Sequence, residues 1–310
     1  MKKVLVILTT LLSLIPLTIF GQISVTKTAD EKIERIIKYD SLNNFLGKEY
    51  SNYIGQDLFL NPMSESLRKY GYENFFLDPN GLTYGKSNVF RCCDSYGSKY
   101  EDLQGKIFKV IDVLEDPANY DDAFLKLKLK DTDEVVFYRY SKKYSHSFSF
   151  IVMGYLEKMK ELFIGNDVLI RKFKSELAAK ITDIDSGEVL SINTEEHYKC
   201  LDITLDDKHY SLKLVLENKT KQKFLFSLGY RHSDVVRIFL KDEAELYRVK
   251  FGASNWKTIL EEKFKIGFTE EMTILSLGKP DEINRSTSGD QWVYSSQYLY
   301  FEDGILESWN

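Results

Sequence analysis

The segment Tyr53-Ile54-Gly55-Gln56-Asp57-Leu58-Phe59-Leu60 returns, conservatively changed, as Phe163-Ile164-Gly165-Asn166-Asp167-Val168-Leu169-Ile170. Two more pairs follow in the same order. Phe108-Lys109-Val110-Ile111-Asp112-Val113 matches Tyr198-Lys199-Cys200-Leu201-Asp202-Ile203, and Leu125-Lys126-Leu127-Lys128-Leu129 matches Leu212-Lys213-Leu214-Val215-Leu216. Val136-Phe137-Tyr138 then stands where Phe224-Leu225-Phe226 does. Three matched segments in one order read as an internal duplication over about 53–140 and 163–228.

Each copy reads as β-structure. Leu125, Leu127 and Leu129 alternate with Lys126, Lys128 and Lys130, the period of a strand with one wet face. Asp131-Thr132-Asp133 turns the chain into a second strand through Tyr140, and Glu217-Asn218-Lys219-Thr220 does so in the second copy. The 20 Tyr and 20 Phe suit half-buried strands better than helices. The strand count suggests a small SH3-like barrel for each copy, with a small open sheet as the alternative. The copies are expected at 51–145 and 163–235. A strand running into a linking helix is expected between them, at 146–162. Apolar residues at helical spacing from Asp30 to Ile37, extended by Leu42, Phe45 and Leu46 and stopped by Gly47, predict a helical segment within 22–50.

The chain opens with Met1-Lys2-Lys3, an apolar run from Val4 to Phe20 and a small residue at Gly21. That is the pattern of a cleaved secretory signal over residues 1–21, with an uncleaved anchor as the other reading. No Cys follows the expected cut between Gly21 and Gln22, so the lipoprotein route is closed. No later stretch has the length and apolarity of a membrane span. The expected compartment is periplasmic or extracellular, with no integral membrane span after signal cleavage. A net charge of -5 argues against nucleic acid, which needs a basic face.

Beyond Tyr247 the pattern changes. Ser254 or Asn255 is placed to cap a helix through Trp256, Ile259, Leu260 and Phe264. Thr269 with Glu270 and Glu271 starts another, which Gly278 and Pro280 end. Strands are expected at 291–294, 298–301 and 305–309, with Asp303-Gly304 turning the last pair. Gly267-Phe268-Thr269-Glu270-Glu271, Leu277-Gly278-Lys279-Pro280, Trp292-Val293-Tyr294, Tyr300-Phe301 and Gly304 together resemble the SmpA/OmlA (BamE-like) domain. That resemblance covers 245–310 and implies an ααβββ fold, shared with β-lactamase inhibitor proteins, and an envelope protein-binding role without catalysis. Phe268 stands where the family usually has Met, and the family's lipid-bearing Cys is absent. The stretch ending Phe20-Gly21-Gln22 resembles exported proteins of Bacteroidetes, and the two repeats resemble small barrels of that group. The expected class is therefore α+β: two β-rich, SH3-like repeats followed by an ααβββ BamE-like domain.

No phosphate loop, dinucleotide fingerprint, HExxH or GxSxG occurs, and no cofactor or metal is expected. The four His, at 146, 197, 209 and 232, include no i, i+4 pair. Arg231-His232-Ser233-Asp234 holds triad residue types, but adjacency in sequence is not triad geometry, and a solvated loop is the better reading. In an oxidising compartment Cys92 or Cys93 could reach Cys200; a buried free thiol at Cys200, aligned with Val110, is the competing reading. Two aromatic rows invite a binding role. Tyr138, Tyr140, Tyr144 and Phe148 form one, and Trp292, Tyr294, Tyr298 and Tyr300 the other, where the binding face is expected. The expected role is a non-catalytic exported protein that binds an envelope protein or a surface glycan; the alternative is a secreted hydrolase with a site assembled between modules.

Overall fold

A computed structural model describes residues 42–310, apart from 82–84, 172–180, 206–211, 229–237, 288 and 296. All of them lie in the second of two compact units, Tyr39–Asn310. The signal segment, the helical expectation over 22–41, His209 and the Arg231–Asp234 stretch lie outside the described residues.

The fold is α+β, built from antiparallel sheets. In chain order the first part contains β1 (Asp57–Leu60), α1 (Glu65–Arg68), β2 (Phe75–Phe76), β3 (Cys92–Asp94), β4 (Gly97–Ser98) and α2 (Tyr100–Leu103). It continues with β5 (Ile107–Glu115), β6 (Asp122–Leu129), β7 (Val135–Ser141) and β8 (Phe150–Val152). Its main sheet has the order β2-β7-β6-β5-β1-β8. The second part runs from α3 (Met153–Phe163) through β9 (Asp167–Ile170), β10 (His197–Leu205), β11 (Leu212–Glu217), β12 (Lys223–Ser227) and β13 (Ile238–Leu240), in the order β12-β11-β10-β9-β13.

Five strands of the first sheet, β7-β6-β5-β1-β8, match the second in order and register, and β2 has no counterpart among the described strands. Leu58 pairs with Phe108 and Val152; Val168 pairs with Tyr198 and Leu240. Each long strand breaks register at one place, between Val110 and Asp112 in β5 and between Cys200 and Asp202 in β10. The Gly55 N–H donates to the Val110 carbonyl at 2.8 Å, and the Gly165 N–H to the Cys200 carbonyl at 2.9 Å. Both glycines have positive φ, 85° and 80°, where an L side chain is strained. The sequence match needs one correction. Leu127 lies opposite Val110 and Leu216 opposite Cys200, so Leu127 corresponds to Leu216, a slip of one pleat repeat from the sequence pairing. A two-residue slip keeps every Leu on the same face, which is why the pattern could not detect it.

Alternation places the core. Leu125, Leu127 and Leu129 are buried and the intervening Lys side chains face out. The first core is aromatic: Tyr138 and Phe150 rings stand 4.9 Å apart, edge to face, with Phe75 5.1 Å from Tyr138. Of the Tyr138–Phe148 row, Tyr138, Tyr140 and Phe148 are buried and only Tyr144 is exposed, so that row is core. Residues 42–49 form no helix, contrary to the helical expectation up to residue 50. The Asn44 amide instead lies along the edge of β8, donating to the Phe150 carbonyl at 2.9 Å and accepting the Val152 N–H at 2.8 Å. This side chain satisfies backbone groups that a helix there would have left open.

The last strand of each sheet runs straight into a helix. Phe59 and Ile151, on the far side of β1 and β8, pack with Leu156 and Met159 of α3. Leu169 and Phe239, at the same places in β9 and β13, pack into the core of the C-terminal part. That part contains α4 (Lys241–Phe251), α5 (Ala253–Leu260), α6 (Glu270–Leu277) and the sheet β14 (Glu282–Ser286), β15 (Gly289–Tyr294), β16 (Gln297–Glu302), β17 (Ile305–Trp309), in that order. Two differences from the ααβββ expectation stand out. Helix α4, starting at Lys241 ahead of the expected boundary at 245, is a third helix in front of the two expected, and β14 adds a fourth strand. Arg171 ties the parts together. It is fully buried, and its guanidinium donates to the carbonyls of Leu275 (2.7 Å), Ser276 (2.5 Å) and Ile259 (3.1 Å), at the C-terminal ends of α6 and α5.

Candidate functional site

The C-terminal sheet is seated by ordinary helix chemistry. The Met272 N–H donates to the Thr269 hydroxyl at 3.2 Å, closing the first turn of α6, and Gly278 ends it with φ 85°. Phe268, Ile259, Leu275 and Leu306 fill the space between helices and sheet.

Pairing register divides the four sequence-nominated aromatics between two faces. Trp292 pairs with Leu299, and both are buried; the Trp292 ring lies 4.5 Å from that of Phe301. Tyr294, on the same face, sends its hydroxyl to the Gly278 carbonyl at 3.0 Å, and burial raises its pKa well above the usual phenol range. Trp292 and Tyr294 are therefore core and helix-end residues. Tyr298 pairs with Val293, and Tyr300 with Gln291, on the opposite face. Tyr298 is 44% exposed. A polar row crosses that face: the Asn284 amide donates to the Gln291 Oε1 at 3.1 Å, and the Gln291 amide to the Tyr300 hydroxyl at 3.2 Å. Tyr298, exposed, and Tyr300 and Val293, both half-buried, thus share the outer face, bordered by amides.

At one end of this sheet lies a cleft of about 300 Å³. Glu270, Asp290, Glu302 and Asp303 line it, with the Ser286 and Gly304 turns. The Gly289 φ of 124° and a would-be Cβ 2.3 Å from the Phe301 carbonyl leave no room for another residue at that turn. Among the described residues no three His, Cys, Asp or Glu are grouped to hold a metal ion. The His146 ring lies 5.2 Å from that of Tyr144, tilted to it, and His197 lies in β10.

Cys92 and Cys93 stand side by side on β3, and Cys200 is a free thiol buried in β10. Burial pushes the Cys200 thiol up to about 11, so the thiolate is disfavoured in the fold. Its contribution to stability is intact below the ordinary thiol range and is lost as pH rises through about 11. Iodoacetamide at pH 8 should leave Cys200 unmodified in the native protein and alkylate it in urea; mass spectrometry of the peptide decides, and native labelling would contradict the burial.

Sequence reasoning missed two features of this region. The strand Glu282-Ile283-Asn284-Arg285-Ser286 is exposed at every residue, so it carries no buried alternation to read. Arg171 follows an apolar strand as one charge among many, and nothing local marks it as buried. No described helix is long and apolar enough to cross a membrane. No family model, no curated protein and no solved structure matches the chain.

Proposed function

We propose that this chain is an exported, non-catalytic binding protein that holds an envelope partner on the outer face of its C-terminal sheet. The observation that carries the reading is the outer-face group of Tyr298, Tyr300 and Val293, bordered by Asn284 and Gln291. Large aromatics that face solvent with hydrogen-bonding neighbours are favoured at interaction surfaces, because they bury much area at small entropy cost. The N-terminal charge and apolar run supports export through a cleaved signal. Matched strand order, register and bulges support a duplication of two SH3-like units, the short 3₁₀ turn Ser145–Ser147 before β8 being in keeping with that topology. The helix and turn motifs around Gly267–Pro280 support the BamE-like reading of the last part, with one strand more than that domain's usual three.

The test is capture from an envelope extract on the immobilised protein. Tyr298→Ala and Tyr300→Ala together should weaken partner binding by at least about thirtyfold, since a single hot-spot aromatic is worth roughly 2 kcal/mol or more. Thermal stability should stay near that of the parent. Undiminished capture by the double variant would overturn the assignment.

A further inference from the structure

The two edges of the C-terminal sheet are treated differently by the fold. The β17 edge is occupied: the Gly267 N–H donates to the Leu306 carbonyl at 2.9 Å, the Leu306 N–H to the Phe268 carbonyl at 2.8 Å, and Thr269 bridges Ile305. The β14 edge differs: all five residues are exposed, and along residues 282–285 no described strand or bridge lies on its outer side. An edge of this kind offers a row of backbone donors and acceptors to another chain, and proteins usually blunt it with edge charges, Pro, a bulge or inward charge, of which β14 has only Glu282 and Arg285. β14 has no Pro, and its pairing with β15 runs without a register shift. Its one cation, Arg285, has its Nε 3.6 Å from the Asp290 carboxylate across the ladder, and its side chain is 78% exposed.

Charge surrounds this edge unevenly. Asp281 and Glu282 stand at its start, and the cleft with Glu270, Asp290, Glu302 and Asp303 opens beside its end at Ser286. We infer that β14 is a strand-addition site for an extended, basic segment of a partner polypeptide. Main-chain hydrogen bonds to β14 supply the affinity. A Lys or Arg beyond Ser286 reaches the carboxylate cleft. An added strand lies about 4.8 Å outside β14, so its outward side chains continue the Asn284–Gln291–Tyr300 row. The inference rests on the binding reading above and gives its partner a backbone conformation and a charge.

The probe is a fluorescein-labelled peptide, Lys-Thr-Val-Lys-Val-Thr-Lys, titrated with the full chain and read by anisotropy, with hydrogen exchange of residues 282–286 alongside. Binding should slow exchange in β14. N-methylation of alternate peptide residues should weaken binding at least tenfold, since it removes ladder donors without altering side-chain charge. Glu in place of Lys should abolish binding, and Asp290→Asn with Glu302→Gln should weaken it severalfold. No binding, equal binding by the N-methylated peptide, or protection elsewhere would overturn the inference. So would concentration-dependent self-association protecting β14, which assigns the edge to a second copy. Capture lost with Tyr298→Ala and Tyr300→Ala but indifferent to the peptide results would leave the binding face standing and the edge proposal refuted.

Discussion

Arg171→Ala is expected to lower the stability of the C-terminal part by roughly 3–5 kcal/mol, the usual scale for removing one partner of a fully buried charged network. The guanidinium is completely buried and feeds three carbonyls that end two helices, with the Glu262 carboxylate 3.8 Å from its Nε. Alanine leaves those carbonyls without their donor in a dry site, and removes a cation from the negative ends of two helix dipoles. Arg171→Lys should recover little, because an ammonium is a point donor and cannot span carbonyls on two helices with one planar fork. Trp256, Trp292 and Trp309, the chain's three tryptophans, all lie in this part, so intrinsic fluorescence in urea reports on it alone. A midpoint unchanged by Arg171→Ala would show that the contact is not structural.

Trp292→Ala should cost a similar amount, about 3–5 kcal/mol, for a different reason. The indole is 2% exposed and stacked near Phe301, so truncation opens a cavity between sheet and helices that α5 and α6 cannot collapse into. Tyr298→Ala, six residues along on the outer face, should change stability by no more than about 0.5 kcal/mol. Circular dichroism melts of the two variants check the division directly. Equal losses, or the larger one at Tyr298, would mean that the register drawn for β15 and β16 is wrong.

What could be read in advance follows the physics of each signal. The Leu/Lys alternation of 125–130 names a strand and its wet face because period two is imposed by the pleat itself. Thr269 and Gly278 name the ends of α6 because cap geometry is local. The aromatic row 292–300 marked two paired strands of one sheet but could not say which rings face out, since the two strands meet through a turn whose length sets their phase. The expected helix through Leu46 gave way to Asn44 docked on β8, a partner 106 residues away in sequence. β14 was invisible because all five of its residues are exposed and leave no buried alternation to read, and Arg171 because its acceptors lie 88–105 residues downstream. Local periodicity was legible; the long-range polar contacts that lock the parts were not.

The position of β1 has a consequence for the order in which the molecule can be made. It is the earliest strand of its sheet, yet it sits inside, between β5 and β8, and its pairing of Leu58 with Val152 joins residues far apart in the chain. β9 stands in the same relation to β13, through Val168 and Leu240. A chain synthesised from its N-terminus therefore leaves β1 with one side unpaired until residue 152 has emerged, and β9 until residue 240. Non-local closure of this sort slows folding. Each sheet stays incomplete for most of its own synthesis, which keeps the nascent polypeptide threadable and also leaves its edges open to helper proteins or to misassembly.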